Sequence, residues 1–362
     1  MNYFITGATG FVGSNIIRKL LEVNPYNQIK ILVRQSGGLS GFFKANKILQ
    51  SIFTPIEYDE YKNRIEIYEG NFFEKYFGLS KDTYNHLTEI TNVIFHSAAT
   101  IKFNLSLEEA SKINIEGTNE VMLFAEKCFN NKVLERVNHI STAYVTGRKK
   151  NMKYNIDDVN FSNTYEITKY KAEQVVNSYI NKGLPITIFR PSIITGNSKT
   201  GEITTNNIIY MFTLMLCMEY LKELPCNVDS SLNIISINYF INLMFSISKL
   251  PESLGLTLNI TNTRNTNIRE LIEFACNELV VKPPKFISIQ YTGNKIHGIS
   301  DKLKAFIPYF EESHYFDLSE TYRILKRSTL PDDDIIECTR KIINYSLEKR
   351  ILRKKKLIKS VK

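Results

Sequence analysis

Residues 2–13 read Asn2-Tyr3-Phe4-Ile5-Thr6-Gly7-Ala8-Thr9-Gly10-Phe11-Val12-Gly13. A short run of strand-forming residues ends in three glycines spaced three apart, and helix-forming residues follow to about position 23. The spacing is GxxGxxG at a strand-to-helix turn. Glycines there permit a tight turn and close backbone approach, and the free N–H groups opening the helix attract a pyrophosphate. Thr6, Gly7, Thr9, Gly10, Phe11, Val12 and Gly13 are therefore candidate contacts to a dinucleotide.

Working outward, short apolar runs alternate with helical patterns over the first 200 residues, the pattern of a parallel sheet with crossover helices. Strands are expected at 2–6, 29–33, 65–69, 92–96, 136–141 and 186–190, with helices near 13–23, 41–53, 107–129 and 164–181. This predicts an α/β, doubly wound parallel-sheet Rossmann fold with a smaller, mostly C-terminal substrate domain. The expected domains are 1–195 for the dinucleotide, with 232–262 returning to it, and 196–231 with 263–348 for substrate. Helices are also expected at 206–222 and 267–279, a strand then a helix over 232–249, and a strand at 256–261.

The residue ending the second strand selects the cofactor. An acid there binds a ribose 2′-hydroxyl, whereas an arginine accommodates a 2′-phosphate. The chain reads Ile31-Leu32-Val33-Arg34-Gln35-Ser36, about 20 residues past Gly13. Arg34 points to NADP(H). Its bland alternative is a surface arginine at a strand end.

Tyr165 and Lys169 form a YxxxK pair, one helical turn apart on one face. A cationic ammonium beside a phenol is expected to lower its pKa from about 10 and let it exchange a proton near neutrality. Thr142, at the end of the expected fifth strand, has a hydroxyl suited to holding a carbonyl oxygen. Glycine turn, threonine and YxxxK in this order point to hydride chemistry at a carbonyl.

Composition narrows the class further. The 362 residues are 43% hydrophobic and 23% charged, ordinary for a globular chain. Five scattered cysteines without CxxC spacing argue against a zinc site or a disulfide framework. The formal net charge is +9, but residues 349–362 hold eight Lys/Arg and no acid, leaving +1 for the remainder. The basic tail is a solvated helix end or a contact to an anionic partner. The apolar stretch 208–218 is too short to span a bilayer, which takes about 20 residues. No signal peptide is visible, so the expectation is a cytoplasmic protein with no transmembrane segment and no nucleic-acid partner.

These motifs resemble the extended short-chain dehydrogenase/reductase superfamily, and within it the fatty acyl reductase and thioester reductase branch. His96-Ser97-Ala98-Ala99-Thr100-Ile101-Lys102-Phe103 is similar to that branch's H-x-A-A-T-x-x-F signature. Leu20–Pro25, Asn114–Thr118, Asn163–Glu173 and Arg190-Pro191-Ser192-Ile193 extend the likeness. The resemblance implies a Thr142, Tyr165 and Lys169 triad. It also implies cofactor contacts from Ser97, Ala98, Ala99, Lys169, Pro191, Ser192 and Ile193. Relatives carry Gly-Asp after the third strand where this chain has Gly70-Asn71, so Asn71, followed by Phe72, is expected at the adenine.

The implied reaction is NADPH-dependent reduction of an acyl thioester, on coenzyme A or a carrier protein, to an aldehyde and onward to an alcohol if a second hydride follows. A sugar-nucleotide epimerase shares the triad but usually keeps NAD, which Arg34 disfavours. A catalytically silent NADP-binding protein would not need the triad. The apolar residues Ile208, Ile209, Met211, Phe212, Leu214 and Met215 either line an acyl channel or form an ordinary buried helix.

Overall fold

The computed structural model describes residues 1–102, 105–146, 161–203, 208–217, 221–288 and 307–351. Its first unit comprises Met1–Gly147, Asn163–Arg190 and Leu243–Asn259. Six strands build the sheet in order of sequence: β1 (Asn2–Thr6), β2 (Gln28–Val33), β3 (Ile65–Glu69), β4 (Val93–His96), β5 (Arg136–Ile140) and β6 (Ile186–Pro191). Between them run α1 (Phe11–Val23), α2 (Gly41–Ile52), α3 (Pro55–Tyr61), α4 (Lys81–Ile90), α5 (Leu107–Ser111), α6 (Gly117–Asn130) and α7 (Thr164–Asn181).

The spatial order is β3-β2-β1-β4-β5-β6, closed at one edge by Thr257–Ile260. Neighbours among the six pair in parallel. The direction of strand crossover reverses between β1 and β4. Ligands of such sheets bind at that point, beyond the carboxyl ends of the strands.

Helix α1 buries Ile16, Ile17, Leu20 and Leu21 along one stripe, each worth about 1.5–3 kcal/mol when fully covered. An aromatic group stabilises the sheet's other flank. Phe4 lies 4.7 Å from Phe124 and 5.6 Å from Phe77, and Tyr84 of α4 stands 5.4 Å from both Phe77 and Phe124. Tyr76 and Phe77 adopt φ of 57° and 60° to deliver the Phe77 ring, a strain of about 1 kcal/mol or more per residue offset by a ring with no solvent exposure.

The region expected as one helix at 107–129 contains a π-helical segment, Lys112–Glu116, between α5 and α6. Helices α3 and α4 were not expected. Ser80 caps α4 by accepting from the Thr83 N–H.

The second unit takes Pro191–Asn242 and the chain from Ile260 on. Its strands pair in twos: Ile193–Thr195 (β7) with Ile234–Ser236 (β10), Ser231–Leu232 (β9) with Thr266–Asn267 (β12), and Glu223–Pro225 (β8) with Lys285–Ile287 (β13). The edge strand Thr257–Ile260 is β11. The helices are α8 (Ile208–Cys217), α9 (Ile237–Ile247, running on into the first unit), α10 (Ile268–Leu279), α11 (Ile307–Glu311), α12 (Ser319–Leu325) and α13 (Ile335–Ser346).

This division differs from the expected boundaries. Residues 191–195 and 232–242 group with the second unit, because β7 finds its partner in β10. The basic tail lies outside the described residues from 352 on. Among the described residues, no helix is long and apolar enough to cross a membrane. All five cysteines are buried free thiols.

Candidate active site

The glycine turn is fixed by sterics. Gly7 has φ of +74°, and a Cβ there would lie 2.6 Å from the Ala98 nitrogen. A Cβ on Gly13 would lie 2.2 Å from the Gly7 carbonyl oxygen. The Gly10 N–H donates to the Gly7 carbonyl at 2.9 Å, and no side chain caps α1 or places an acid in its first turn. The helix therefore presents its positive end and a small-residue cradle, a fit for an anionic dinucleotide. Thr9, Phe11 and Val12 are partly accessible, and Gly10 is exposed.

A buried network ties this turn to β4. The Thr6 hydroxyl lies 2.8 Å from His96 Nδ1, and His96 Nε2 is 3.0 Å from the Thr118 hydroxyl. The Ser97 hydroxyl donates to the Thr6 carbonyl at 2.9 Å, which aligns Ser97, Ala98 and Ala99 beside the glycines. Asn114, in the π-helical segment, holds both sides of this loop. Its Oδ1 accepts from the Thr100 N–H at 2.8 Å, and its Nδ2 donates to the Thr168 hydroxyl on α7 at 2.9 Å. The sequence offered no separate signal for this bridging role.

Thr142 and Tyr165 meet through a side-chain hydrogen bond. Thr142 is buried at the end of β5, while Tyr165 is half-buried in the first turn of α7, which Asn163 caps by accepting from the Glu166 N–H. One turn on, Lys169 is 3% exposed and its Nζ donates to the Ile140 carbonyl at 2.8 Å. The three residues expected as a triad are thus together.

Their electrostatics depart from expectation. Burial, reinforced by the Glu166 carboxylate, pushes the Tyr165 phenol well above its ordinary value, and the Thr142 hydrogen bond only partly opposes this. Lys169 does not lower it; instead burial brings Lys169 itself down to about 8, against an upward pull from Glu173. The ammonium donates to a backbone carbonyl.

Two histidines feel the Lys169 charge. His96 is pushed down to about 3 and His139 well below its ordinary value, in both cases chiefly by burial. Their rings are 5.1 Å apart.

At the other end, Arg34 is exposed at the end of β2. Lys44 of α2, which the sequence did not single out, donates to the Arg34 carbonyl and the Ser36 hydroxyl, each at 2.8 Å. Burial and then the Arg34 charge lower the proton affinity of Lys44. An acid is nearby after all: Glu69, at the end of β3, accepts from the Gly41 N–H that opens α2.

Asn71 donates to Glu74 at 2.9 Å, while its Oδ1 is buried without a hydrogen-bond partner, an acceptor suited to an adenine amino group. The Phe72 side chain is instead core, 5.8 Å from the His96 ring. Pro191, Ser192 and Ile193 fall in the second unit. There Ile193 turns its side chain into an apolar cavity of about 50 Å³ that Phe212, Thr213 and Leu216 of α8 share with Leu271 and Ala275 of α10. Leu214, by contrast, packs beside Tyr210, Cys338 and Ile342, so α8 is partly lining and partly ordinary core.

A family model described as male sterility protein, an NAD-binding domain, matches residues 5–244. Fatty acyl-CoA reductase wat of Drosophila melanogaster is 31% identical over 222 residues, covering 53% of this chain and 42% of the relative. The terminal R domain from the myxalamid PKS-NRPS biosynthetic pathway shares the fold with a TM-score of 0.77 at 21% identity, over 97% of this chain and 91% of that one. UDP-glucuronic acid 4-epimerase from Bacillus cereus shares it with a TM-score of 0.69 at 19% identity, over 95% and 99%. The chain spans about half or less of the length of the curated relatives it matches. With the family match covering well over half of its length, this chain belongs to the male sterility protein family of NAD-binding domains.

Proposed function

We propose that the chain is an NADP(H)-dependent oxidoreductase that reduces an acyl thioester. The observation that carries this reading is the contact of the Thr142 hydroxyl with the Tyr165 phenol, one turn from the buried Lys169. When bound, a nicotinamide cofactor supplies the hydride that adds to the thioester carbonyl carbon. Thr142 and Tyr165 donate hydrogen bonds to the carbonyl oxygen and stabilise the charge that develops on it.

Tyr165 then gives its phenolic proton to that oxygen. The phenol is protonated at neutral pH and so holds the proton it gives, although burial makes it a weaker acid than a free phenol. The hemithioacetal collapses as the carbon–sulfur bond breaks, releasing an aldehyde and a thiol. Lys169 holds the nicotinamide ribose. Ser97, Ala98 and the glycine turn receive the pyrophosphate and its flanking sugars, with Asn71 Oδ1 at the adenine amino group.

NADP(H) rather than NAD(H) is supported by Arg34 with Lys44 beside it, two cations for a 2′-phosphate. Glu69, the nearby acid, is already engaged by the Gly41 N–H. Relatives named as fatty acyl-CoA reductases support a thioester substrate, on coenzyme A in their case. The apolar cavity of the second unit suits an alkyl group.

The test gives the full chain NADPH with acyl-CoA thioesters of graded length, or with UDP-glucose and UDP-glucuronic acid, following NADPH consumption for the thioesters and product analysis for the sugars, since epimerisation consumes no net reductant. Consumption with thioesters alone is expected. Turnover of a sugar nucleotide with none of any thioester overturns the reading.

A further inference from the structure

Helix α7 carries a second charge in the interior that the proposed chemistry does not use. Glu173 lies four residues after Lys169, on the same face, and has no solvent exposure. Neighbours at this spacing lie about 5–6 Å apart at Cβ. A carboxylate so deep normally neutralises itself unless cations hold it. Here Arg190, at the end of β6, grips it with three contacts: Nε to Oε1 at 3.0 Å, Nε to Oε2 at 3.2 Å and Nη2 to Oε2 at 2.5 Å.

Lys169 has the opposite difficulty. A buried ammonium sheds its proton unless an opposite charge or hydrogen-bond acceptors keep it. The Ile140 carbonyl accepts one hydrogen bond. Among the described residues, Lys169 also acts on His96 of β4 and His139 of β5, which burial keeps neutral, while Tyr165 and Glu166 share its helix and Arg190 is bound to Glu173. Glu166 acts on Tyr165 and Tyr144. Glu173 is the acid that acts on Lys169.

We propose that Glu173 is a positioning residue that keeps the Lys169 ammonium charged in the working site, and that Arg190 both anchors and moderates it. The proposal rests on the reading of Lys169 as the ribose-holding cation. Arg190 fixes the carboxylate in one orientation and shares its charge, so the two partners act on Lys169 with opposite sign.

The experiment follows the alkaline limb of kcat/KM and of NADPH affinity in the full chain, together with the ¹³Cε resonance of Lys169 in lysine-labelled protein, assigned by its loss in Lys169→Met. In wild type the limb and the resonance should titrate together near pH 8. Glu173→Gln should move both to lower pH by about one unit, a tenfold change in proton affinity. Glu173→Asp should restore most of the shift.

If Glu173→Gln does not fold, the double variant Glu173→Gln/Arg190→Met removes the unpaired guanidinium and should still move the limb down. A mere strut between α7 and β6 would lower stability and activity at every pH while leaving limb and resonance where they are, and that outcome overturns the proposal. Failure of the underlying reading looks different: Lys169→Met would then keep NADPH affinity and turnover.

Discussion

In the first unit the strands share one sheet, and its carboxyl edge collects Gly7, Ser97, Thr142 and, one turn into α7, Lys169. In the second, short strands pair in twos and the interior holds an apolar cavity walled by α8 and α10. Sheet geometry can place polar groups to a fraction of an ångström because every strand is pinned by its neighbours. Short pairs and helices shape apolar volume instead, where size matters more than direction. On this account, chemistry should be sensitive to single polar atoms in the first unit, and substrate size to whole methylenes in the second.

The largest expected effect tests the first half of that contrast. Tyr165→Phe removes one oxygen and should lower turnover by about a hundredfold or more, as loss of a general acid does, with NADPH affinity unchanged. Stopped-flow turnover and fluorescence titration measure the two separately. Retention of most of the wild-type rate would show that the Thr142–Tyr165 contact is structural only.

A smaller effect is expected at the cofactor's other end. Arg34→Ala should erase a ten- to hundredfold preference for NADPH over NADH, since a charge-assisted contact to phosphate contributes about 1.5–3 kcal/mol. Lys44→Ala should weaken the same preference while leaving NADH affinity alone. Calorimetric titration showing equal affinities in wild type would remove the basis for NADP(H).

The two halves differed equally in what the sequence disclosed. The glycine turn, Thr142 and YxxxK are short-range patterns whose spacing carries their meaning, so the residues are legible one by one and the structure brings them together. Lys44 and Glu69 were not, and Asn114 was read only as part of a family-like stretch, without its bridging role. Lys44 and Glu69 reach the end of β2 from α2 and β3, and Asn114 acts through a π-helical segment that periodicity does not reveal. The direction of the Tyr165 shift was misread because spacing places Lys169 one turn away but does not show its Nζ turned to the Ile140 carbonyl. Helix α4 went unseen because Tyr84 and Leu87 are too few apolar positions to mark a face. In the second unit the helices and the strand opening 232–249 were legible but the pairing was not, since β7 and β10 pair across some 40 residues of chain.

The smallest effect tests the second half of the contrast. Each methylene buried in the cavity should raise kcat/KM about fourfold, from about 0.8 kcal/mol per CH₂, until the space is filled. Ala275→Leu, which fills part of it, should bring the plateau at a shorter chain. Activity independent of chain length in both proteins would leave the cavity as a packing defect.

The central claim is that hydride passes to a thioester carbonyl carbon at Tyr165. Its most direct test is the reaction of this chain with an acyl-CoA and NADPH deuterated at the transferable C4 position, followed by mass spectrometry of the product. The account predicts one deuterium at C1 of the released aldehyde, or two at C1 if the alcohol forms, and neither product in quantity from Tyr165→Phe. Deuterium retained in the nicotinamide with no aldehyde or alcohol from any thioester would contradict it.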